Sequence, residues 1–528
     1  MNNIFIGLSW PYANGELHIG HLGSSLPADI LARYFRLKGE NVCFVSGSDC
    51  FGTPISIQAQ KENTKPDIIA NFYHEKFVEI FKQLDFSFDN YTKTSNEYHI
   101  NFAKDFHDDL YKSSYVYKKE EQRLFCQSCK RFLPDRYVLG LCPKCGNITK
   151  GDACEKCGKI LEPEELFNPK CGICNSTPIL KNTFQYYLAL SKLEDQLKKF
   201  YQNNNENWST NAKKLTERYF SEGLIDRAIS RDLDWGVPIP SSDSKEKVIY
   251  NWGENVLGYV DACKEYCEKN NFNFNDWFKS NDCKHYYIHA KDNIQFHTII
   301  YPALLLANSK QYHLPDNIYA YEFVNNEGQK ISKSKGTCLT ARELLEKFDV
   351  DFLRFYFAKN ISDKKDLDFR LEEFANTVNG ELINNWGNFV NRTLSFVKNK
   401  FNGKIKKSVL DDNIKTRIEE TFTNTSNFIE QGKIANALRT ILELVDFSNK
   451  YFNETEPWNA FKINEEKCKN LCYQYLSLIL NLAILLNPFI PKSSNQVLNW
   501  LDTKLERYQT NELSDVEILE FNPLYSRI

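Results

Sequence analysis

The sequence Pro11-Tyr12-Ala13-Asn14-Gly15-Glu16-Leu17-His18-Ile19-Gly20-His21 lies between an apolar segment, residues 4–8, and a helical pattern over residues 22–37. The two histidines therefore stand where a strand passes into the start of a helix. The first N–H groups of a helix lack partners within it and carry a partial positive charge, which favours phosphate. Gly15 and Gly20 let a ligand approach the backbone, and imidazoles donate to phosphate oxygens. The segment predicts a phosphate site.

A second segment rich in lysine and serine, residues 328–336, contains Lys330-Ile331-Ser332-Lys333-Ser334. Taken alone it would be a solvated basic turn, and the first motif alone would be a glycine turn with two solvated histidines. Together they resemble the HIGH and KMSKS signatures of class I aminoacyl-tRNA synthetases, and the whole chain is most similar to the methionyl-tRNA synthetase family. Ile331 stands where that family most often has methionine, which keeps an apolar side chain.

This resemblance implies how ATP is held. Attack of a carboxylate on the α-phosphate builds negative charge on the phosphate and on the leaving pyrophosphate, and positive groups directed at that charge lower the barrier. The catalytic residues would be His18, His21, Lys330 and Lys333, with Mg²⁺ bridging the phosphates and no covalent nucleophile. The further residues expected to contact ATP are Tyr12, Asn14, Gly15, Gly20, Ser332 and Ser334.

The composition limits the class of protein. The chain has 528 residues, of which 42% are hydrophobic, and a formal charge of −3. Its length allows three or four structural units. The charge argues against nucleic-acid binding through an overall positive field, so a tRNA partner would need local basic patches. We expect no secretory signal, because the first residues form a strand. The most apolar stretch, residues 475–490, is interrupted by Asn481, Asn487 and Pro488, which predicts a buried helix and no membrane span.

Half of the sixteen cysteines form Cys-x-x-Cys pairs. The pairs are Cys126/Cys129, Cys142/Cys145, Cys154/Cys157 and Cys171/Cys174. Two thiolates at this spacing can face one ion, and four complete a tetrahedral zinc site. The pattern indicates metal binding in a reducing compartment, so we expect a cytoplasmic protein. The cysteines alone leave open which pairs share an ion.

The family resemblance implies a partition of these pairs. A first structural zinc would be bound by Cys142, Cys145, Cys154 and Cys157, and a second by Cys126, Cys129, Cys171 and Cys174. Closed coordination by four cysteines leaves no position for substrate, so either zinc would be structural. Gly146, Gly158 and Gly172 are expected in the tight turns of these knuckles.

Alternation of strand and helix patterns predicts an α/β protein with a parallel sheet. We expect a Rossmann-like class I catalytic domain in two halves, residues 1–112 and 236–318, with residues 248–250 and 285–289 as strands of the second half. A connective insertion with the zinc knuckles would occupy residues 113–235, and residues 319–375 would form the region of the Lys-Ile-Ser-Lys-Ser loop and stem contact. Helical spacing of apolar residues over 376–528 predicts an all-α bundle, which the resemblance makes the anticodon-binding domain.

A thioether substrate needs an apolar, polarizable pocket and a carboxylate for its α-ammonium group. Asp49 follows the second predicted strand, and the resemblance makes it the ammonium ligand. The other residues that the resemblance places at the methionine pocket are Trp10, Tyr12, Trp252, Tyr259, Phe296 and His297. Without that context each aromatic residue would be interpreted as ordinary core packing. Trp10 departs from the leucine of the best-known family members, as Gly253-Glu254-Asn255 and Ala290 depart from the family pattern.

In the helical region, Asn384, Asn388 and Arg392 follow one another at intervals of four residues, which places them on one helix face. The resemblance makes them anticodon contacts, together with Pro457 and Trp458, whose indole would stack on a base. Helix packing is the alternative for Trp458. The lysines over residues 398–407 could follow a phosphate backbone, although such a run is more often a solvated face.

The sequence therefore predicts an enzyme that activates methionine with ATP and transfers it to the 3′ end of tRNA(Met). The chain ends without the extra oligonucleotide-binding domain that dimerises some relatives, so a monomer is expected. Isoleucyl, valyl and leucyl enzymes carry an editing insertion for which this chain has no room, and a cysteinyl enzyme would use zinc in its pocket. The alternative from another class is a non-catalytic synthetase-like paralogue that binds tRNA.

Overall fold

The computed structural model describes residues 2–134, 137–151, 154, 156–157, 159, 161–241, 247–328 and 339–528. The first part of the chain alternates strands and helices, as predicted. Its elements are β1 (Asn3–Leu8), α1 (Ile19–Lys38), β2 (Asn41–Ser48), α2 (Thr53–Lys61), α3 (Pro66–Gln83), β3 (Asn90–Lys93) and α4 (Glu97–Tyr111).

A connective segment follows, built around a long antiparallel hairpin. Its elements are β4 (Val116–Cys126), β5 (Arg131–Phe132), β6 (Val138–Leu141), β7 (Ile148–Lys150), β8 (Phe167–Cys171), β9 (Ile179–Leu188), α5 (Leu190–Asn204), α6 (Thr210–Glu222), β10 (Arg227–Ala228) and β11 (Ser230–Arg231). β4 and β9 form the hairpin, with β10 and β5 at its edges, and β6 pairs with both β7 and β8 in a small separate sheet. The four cysteine pairs lie at or shortly after the carboxyl ends of β4, β6, β7 and β8.

The chain then returns to the catalytic domain. The next elements are β12 (Val248–Ile249), α7 (Asn251–Glu254), α8 (Gly258–Asn270), α9 (Asn275–Phe278), β13 (Cys283–Ala290), α10 (Tyr301–Ala307) and β14 (Asn317–Tyr321), with a π-helical turn at Phe296–Ile300.

The five-stranded sheet at the centre of this domain has the order β14-β13-β1-β2-β3, and all its strands are parallel. β1 lies between strands that come later in the chain on both sides, so the connections diverge at its carboxyl end, where ligands of such sheets bind. The expected strand at residues 285–289 belongs to this sheet. The expectation for residues 248–250 is wrong, because β12 pairs antiparallel with β11 in a separate two-stranded sheet. An apolar run this short carries no information about its pairing partner.

The rest of the chain is almost entirely helical. Its elements are β15 (Val324–Asn326), α11 (Ala341–Leu345), α12 (Val350–Asn360), β16 (Leu367–Phe369), α13 (Leu371–Thr377), a π-helical segment (Val378–Gly387), α14 (Asn388–Phe401), β17 (Lys404–Ile405), α15 (Asp412–Glu430), α16 (Ile434–Thr455), α17 (Pro457–Ile463), α18 (Glu465–Leu486), α19 (Pro491–Trp500) and β18 (Val516–Glu517).

Helix α18 lies at the centre of this bundle. Its residues from Tyr473 to Leu486 are all buried, so the apolar stretch forms a buried core helix, as predicted. Within the described residues it is also the one helix long and apolar enough to cross a membrane, and 83% of its most apolar window is buried inside the protein. Burial against other helices accounts for its composition without a lipid environment.

Candidate active site and metal sites

The first motif forms the N-terminal cap of α1. His18 has extended backbone geometry, and its Nδ1 accepts a hydrogen bond from the Gly20 amide at 3.1 Å. The His21 Nδ1 accepts from the His18 amide at 3.1 Å, so the two rings cap the helix reciprocally and lie 3.9 Å apart. Because Nδ1 of each neutral ring is an acceptor, its proton is on Nε2. Both histidines therefore present an N–H donor beside the positive end of the helix dipole.

The second motif lies outside the described residues, so Lys330, Ser332, Lys333 and Ser334 are without a structural account. The chain that follows it is held against the first motif. The Ile19 amide donates to the Leu339 carbonyl at 3.1 Å, and the Ala341 amide donates to the Leu17 carbonyl at 2.8 Å. The structure thus places Leu339 and Ala341 directly beside His18.

An open cavity of about 1250 Å³ lies at the carboxyl edge of the sheet. Predicted residues of the first motif and of the methionine pocket line this one cavity: Trp10, Tyr12, His18, Gly20, His21, Trp252 and Phe296. Asn14 and Gly15 lie outside its lining, in the bend between β1 and α1. The cavity combines the histidine-capped N-terminus of α1 with an aromatic wall.

Trp252 and Phe296 form that wall. Their rings are parallel within 2° and their centroids lie 3.7 Å apart, while Tyr12 meets Trp252 edge-on at 6.4 Å. Stacked rings of this kind offer the flat, polarizable surface that a thioether side chain prefers. Trp252 is on α7 and Phe296 on the π-helical turn after β13, so two distant segments build the wall.

Trp10 is buried and fits between two glycines. A Cβ atom at Gly47 would lie 2.5 Å from the Trp10 ring, and one at Gly258 would lie 2.6 Å from it. The bulky residue at this position is therefore accommodated by the absence of side chains on β2 and α8. The buried Nε1 of Trp10 has no hydrogen-bond partner within the described residues.

Asp49 is fully buried directly behind Tyr12. Its Oδ2 accepts from Asn251 Nδ2 at 2.8 Å and its Oδ1 from the Phe51 amide at 3.2 Å. Burial, followed by repulsion from Glu254, raises the pKa of Asp49 well above its ordinary value, and the two hydrogen bonds and the charge of His99 oppose that rise. A cationic group entering the site would favour the ionised carboxylate.

Tyr259 and His297 form a buried pair beneath the wall. The His297 Nδ1 lies 2.9 Å from the Asn293 carbonyl and must donate to it, so Nε2 accepts from the Tyr259 hydroxyl at 2.8 Å. Burial lowers the pKa of His297 to about 4, so the ring is neutral near pH 7. Both side chains lie behind the cavity surface, where they can fix the position of the wall.

Sequence reasoning missed Asn251. Its Nδ2 donates to Asp49 and lies 3.2 Å from the Tyr12 hydroxyl, so it joins the carboxylate to the cavity wall. Its position immediately before Trp252 was the available signal. Arg231, which lines the cavity and packs 3.9 Å from the Tyr250 ring, had no signal in the sequence.

The eight paired cysteines form two clusters. One contains Cys126, Cys129, Cys171 and Cys174, and the other Cys142, Cys145, Cys154 and Cys157, with the four sulfur atoms of each within 4.8 Å of one another. Sulfur–sulfur distances of 3.5 and 3.9 Å in the first cluster and 3.7 and 3.6 Å in the second are close to the separation of about 3.8 Å that a tetrahedron with zinc–sulfur bonds of about 2.3 Å requires. Each donor set fits a closed structural zinc site, in the partition that the resemblance implies.

The backbone of the knuckles explains the turn residues. The residue after the second cysteine has a left-handed conformation in the three described knuckles: Lys130 at φ 53°, Gly146 at φ 67° and Asn175 at φ 60°. Gly158, at the equivalent position of the remaining knuckle, is outside the described residues. Gly172 does not have positive φ, so the turn of its knuckle depends on Asn175, a residue type that tolerates this conformation.

In the helical bundle, Arg392 and Trp458 are brought together around Phe452. The Arg392 guanidinium lies 4.4 Å from the Phe452 ring, and the Trp458 ring lies 6.3 Å from it. Trp458 is 41% exposed, whereas Pro457 is buried at the start of α17. Asn384 is exposed and Asn388 half-buried. Arg392 and Trp458 thus offer a cation and a ring face on one surface.

The lysines after Arg392 are mostly engaged within the protein. Lys398 donates to the Ile518 carbonyl at 3.3 Å, Lys404 pairs with Glu517 at 3.1 Å, and Lys407 pairs with Glu512 at 2.7 Å. The C-terminal tail therefore neutralises Lys404 and Lys407 and holds Lys398 by its carbonyls, which weakens the interpretation of this run as a phosphate-binding track. The sequence could not reveal that β18 folds back onto β17.

Two family models match the chain. The model described as tRNA synthetases class I (M) matches residues 4–394, and the anticodon binding domain of methionyl tRNA ligase matches residues 401–522. The boundary between them falls at the end of α14, within the helical part of the structure.

Curated relatives match over the full length. Methionine–tRNA ligase 1 of Alkaliphilus oremlandii (strain OhILAs) is 43% identical over 530 residues, which covers 100% of this chain and 97% of the relative. A methionine–tRNA ligase of Bacillus cereus (strain Q1) is 41% identical over 528 residues with the same coverage. A solved structure of Mycobacterium tuberculosis methionyl-tRNA synthetase in complex with methionyl-adenylate has a TM-score of 0.83 at 21% identity and covers both chains completely.

Proposed function

Since the chain belongs to the methionyl-tRNA synthetase family of class I aminoacyl-tRNA synthetases, we propose that its cavity performs methionine activation with the residues described above. The chain is an enzyme, an aminoacyl-tRNA ligase that acts on methionine. The observation that carries the assignment of residues is that the histidine-capped helix terminus and the Trp252–Phe296 wall line one cavity.

In the first step the methionine carboxylate attacks the α-phosphate of ATP, forming methionyl-adenylate and pyrophosphate. His18 and His21 donate from Nε2 to phosphate oxygens, where negative charge increases in the transition state, and Lys330 and Lys333 bind the β- and γ-phosphates. Mg²⁺ supplies charge neutralisation as the counter-ion of the ATP phosphates. No side chain is required as a nucleophile, because positioning and charge stabilisation account for the catalysis.

The amino acid is held on the other side of the cavity. Asp49, positioned by Asn251, binds the α-ammonium group, and this ion pair is strengthened by burial because little water competes for either charge. Trp252 and Phe296 contact the thioether side chain, and Tyr259 and His297 support them from behind. Trp10 closes the pocket beside β1.

The helical region binds the tRNA in this proposal. Trp458 stacks on an anticodon base and Arg392 contacts a neighbouring base or phosphate, since both stand on the surface around Phe452. Asn384 and Asn388 extend the same helix face, and Pro457 fixes the start of the helix that carries Trp458. In the second step, the methionyl group passes to the 3′ end of tRNA(Met).

The proposal is tested by ATP–pyrophosphate exchange with each of the twenty amino acids in turn. We expect exchange with methionine and a strong reduction in Asp49→Asn, because the neutral amide cannot pair with the ammonium group. Asp108→Asn, which makes the same change at an exposed carboxylate of α4 that pairs with Lys112, is a control for general effects of such substitutions. Exchange that Asp49→Asn leaves unchanged would contradict the pocket assignment, and no exchange with any amino acid would favour a tRNA-binding paralogue.

We further propose that both cysteine clusters bind structural zinc. We expect elemental analysis of the purified protein to find two zinc ions per chain, and Cys129→Ser and Cys145→Ser each to lose one, because each removes a ligand from a different cluster. Cys472→Ser is the matched control, since this buried cysteine lies outside both clusters. A count of one ion that only Cys145→Ser abolishes would restrict zinc to the inner pairs.

The cytoplasm is the proposed location and a monomer the proposed state. Fifteen cysteines of the described residues are free of disulfide bonds, and eleven of them are buried, which accords with a reducing compartment.

A further inference from the structure

A cluster of buried charges lies behind the pocket and has no part in the reaction described so far. His99 of α4 contacts two carboxylates: its Nδ1 lies 2.6 Å from Asp261 Oδ2, and its Nε2 lies 2.7 Å from Glu254 Oε2. All three side chains are at most 2% exposed. Burial of three ionisable groups is costly unless their charges are balanced.

The charges in this cluster do not balance on their own. The second oxygen of each carboxylate, Glu254 Oε1 and Asp261 Oδ1, is buried without a hydrogen-bond partner in the described part of the chain. Asp49 adds a third buried carboxylate, and Glu254 repels it. A single imidazolium thus faces three acidic side chains, and a cationic ligand at Asp49 would offset a second of the three negative charges.

The position of His99 connects this cluster to the methionine pocket. Glu254 ends α7, which carries Asn251 and Trp252, and Asp261 is on α8, one turn after Gly258. Trp10 packs against Gly258, and its ring lies 6.2 Å from the His99 ring. His99 therefore joins α7, which carries Trp252 and the Asp49 partner Asn251, to α8, whose Gly258 packs against Trp10.

From this geometry we propose that His99 is a positioning residue for methionine: its buried imidazolium, held by Glu254 and Asp261, offsets Glu254 and keeps Asp49 anionic to bind the α-ammonium group. This inference rests on the proposed role of Asp49. The charge of His99 acts on the substrate through Asp49, and His99 itself touches neither methionine nor ATP.

The titration of the neighbouring groups supports the inference. Burial opposes a charge on His99, but Asp261 and Glu254 raise the pKa of His99 to about 10, so the ring is charged near pH 7. The charged or titratable groups around it are Glu254 on α7, Asp261 and Glu265 on α8, Asp49 after β2, and Tyr98 and His107 on its own helix. Removal of the positive charge leaves Asp49 facing Glu254 alone, which raises the pKa of Asp49 further.

The test is methionine binding by titration calorimetry between pH 5.5 and 8 with His99→Gln. Binding should weaken as the pH falls, because Asp49 takes up a proton, and in His99→Gln this weakening should begin at higher pH. If the pKa of Asp49 rises by one unit, methionine should bind about tenfold more weakly at pH values below that pKa. The hydroxy-acid analogue of methionine lacks the ammonium group, so its affinity should change little. The double variant His99→Gln/Glu254→Gln should recover much of the methionine affinity.

His107→Gln is the matched control. His107 is also buried on α4, and its Nε2 lies 2.9 Å from the Gly253 carbonyl of α7, but it contacts no carboxylate of the described residues, and burial lowers its pKa to about 4. It should leave the pH dependence of methionine binding unchanged. Equal loss of methionine and analogue binding in His99→Gln, without a shift along the pH axis, would show a purely structural role and overturn the inference.

Two further variants separate the possible failures. If His99→Gln does not fold, Glu254→Gln alone should let methionine binding persist to lower pH, since it removes the repulsion on Asp49, and an unchanged profile would refute the proposal. If Asp49→Asn binds methionine as well as the parent protein, the assignment of Asp49 itself fails. If Asp49→Asn abolishes methionine binding while His99→Gln leaves the affinity and its pH dependence unchanged, only the proposed role of His99 fails.

Discussion

Replacement of either motif histidine by asparagine is expected to slow methionyl-adenylate formation by about 10²–10³-fold, which is the usual cost of removing one donor from a developing oxyanion. Asparagine Oδ1 occupies nearly the position of histidine Nδ1, so His18→Asn and His21→Asn retain the acceptors that cap α1. They remove only the Nε2–H donors. The substitution therefore separates phosphate binding from helix capping.

The readouts are pre-steady-state adenylate formation and thermal unfolding. We expect kcat for activation to fall, the KM for methionine to change little, and the melting temperature to stay close to that of the parent. His21→Ala, which loses both functions, should be destabilised as well, by about 1 kcal/mol for the lost cap. If the asparagine variants were fully active and only the alanine variant were impaired, the histidines would serve the helix and not the phosphate.

Much of the fold could be predicted because its signals are local. The apolar strand before His18, the helical spacing after it, and the interrupted apolar run of α18 each carry their structure within a short window. The metal clusters were predictable for the same reason, since two residues between cysteines fix one half of a site. Which halves combine is decided by the fold of β6, β7 and β8, and the spacing of the pairs carries no information about it.

The parts that the sequence did not reveal depend on contacts between distant segments. Asn251 acts on Asp49 across the sheet edge, and His99 bridges two carboxylates about 160 positions later in the chain, at separations of 155 and 162 residues. A buried histidine in an amphipathic helix is usually interpreted as a core residue, because its charge becomes visible only when its partners are located. Likewise, the lysines after Arg392 form a basic run in the sequence, but Lys404 and Lys407 pair with Glu517 and Glu512 of the C-terminal tail, about 105–113 residues later.

A buried ion pair between Arg354 and Asp29 also joins distant segments of the chain, and we expect it to make a large contribution to the stability of the folded protein. Arg354 of α12 is 1% exposed, and its guanidinium donates to Asp29 Oδ2 at 2.7 Å and to the carbonyls of Leu84, Pro488 and Phe489 at 2.9–3.1 Å. It thereby joins α1, the end of α3 and the segment between α18 and α19. Its loss leaves three buried carbonyl acceptors without their donor and leaves the buried Asp29 carboxylate with Arg33 as its remaining ion-pair partner.

We expect Arg354→Met to lower the free energy of unfolding by about 3–5 kcal/mol, the usual cost of removing one partner of a buried ion pair. Urea denaturation of the parent and the variant measures this loss. Lys359→Met is the comparison, because the Lys359–Glu381 pair is partly exposed and should contribute about 1 kcal/mol or less. The double variant Arg354→Met/Asp29→Asn should recover part of the loss, since it also removes the buried carboxylate that Arg33 alone would have to balance.

The Arg354–Asp29 pair also predicts that the free energy of unfolding decreases at low pH. Burial acts to raise the pKa of Asp29, but attraction to Arg354 and Arg33 and hydrogen bonds from Ser87 outweigh it and lower the pKa from 3.8 to about 2. A carboxylate whose pKa is lower in the folded state stabilises the protein fully above the unfolded pKa, and this contribution is lost as the pH falls from about 4 towards 2. The shift corresponds to about 2 kcal/mol. Arg354→Met should lose most of this acid dependence, and a variant with the parent's slope in that pH range would show that other carboxylates govern acid unfolding.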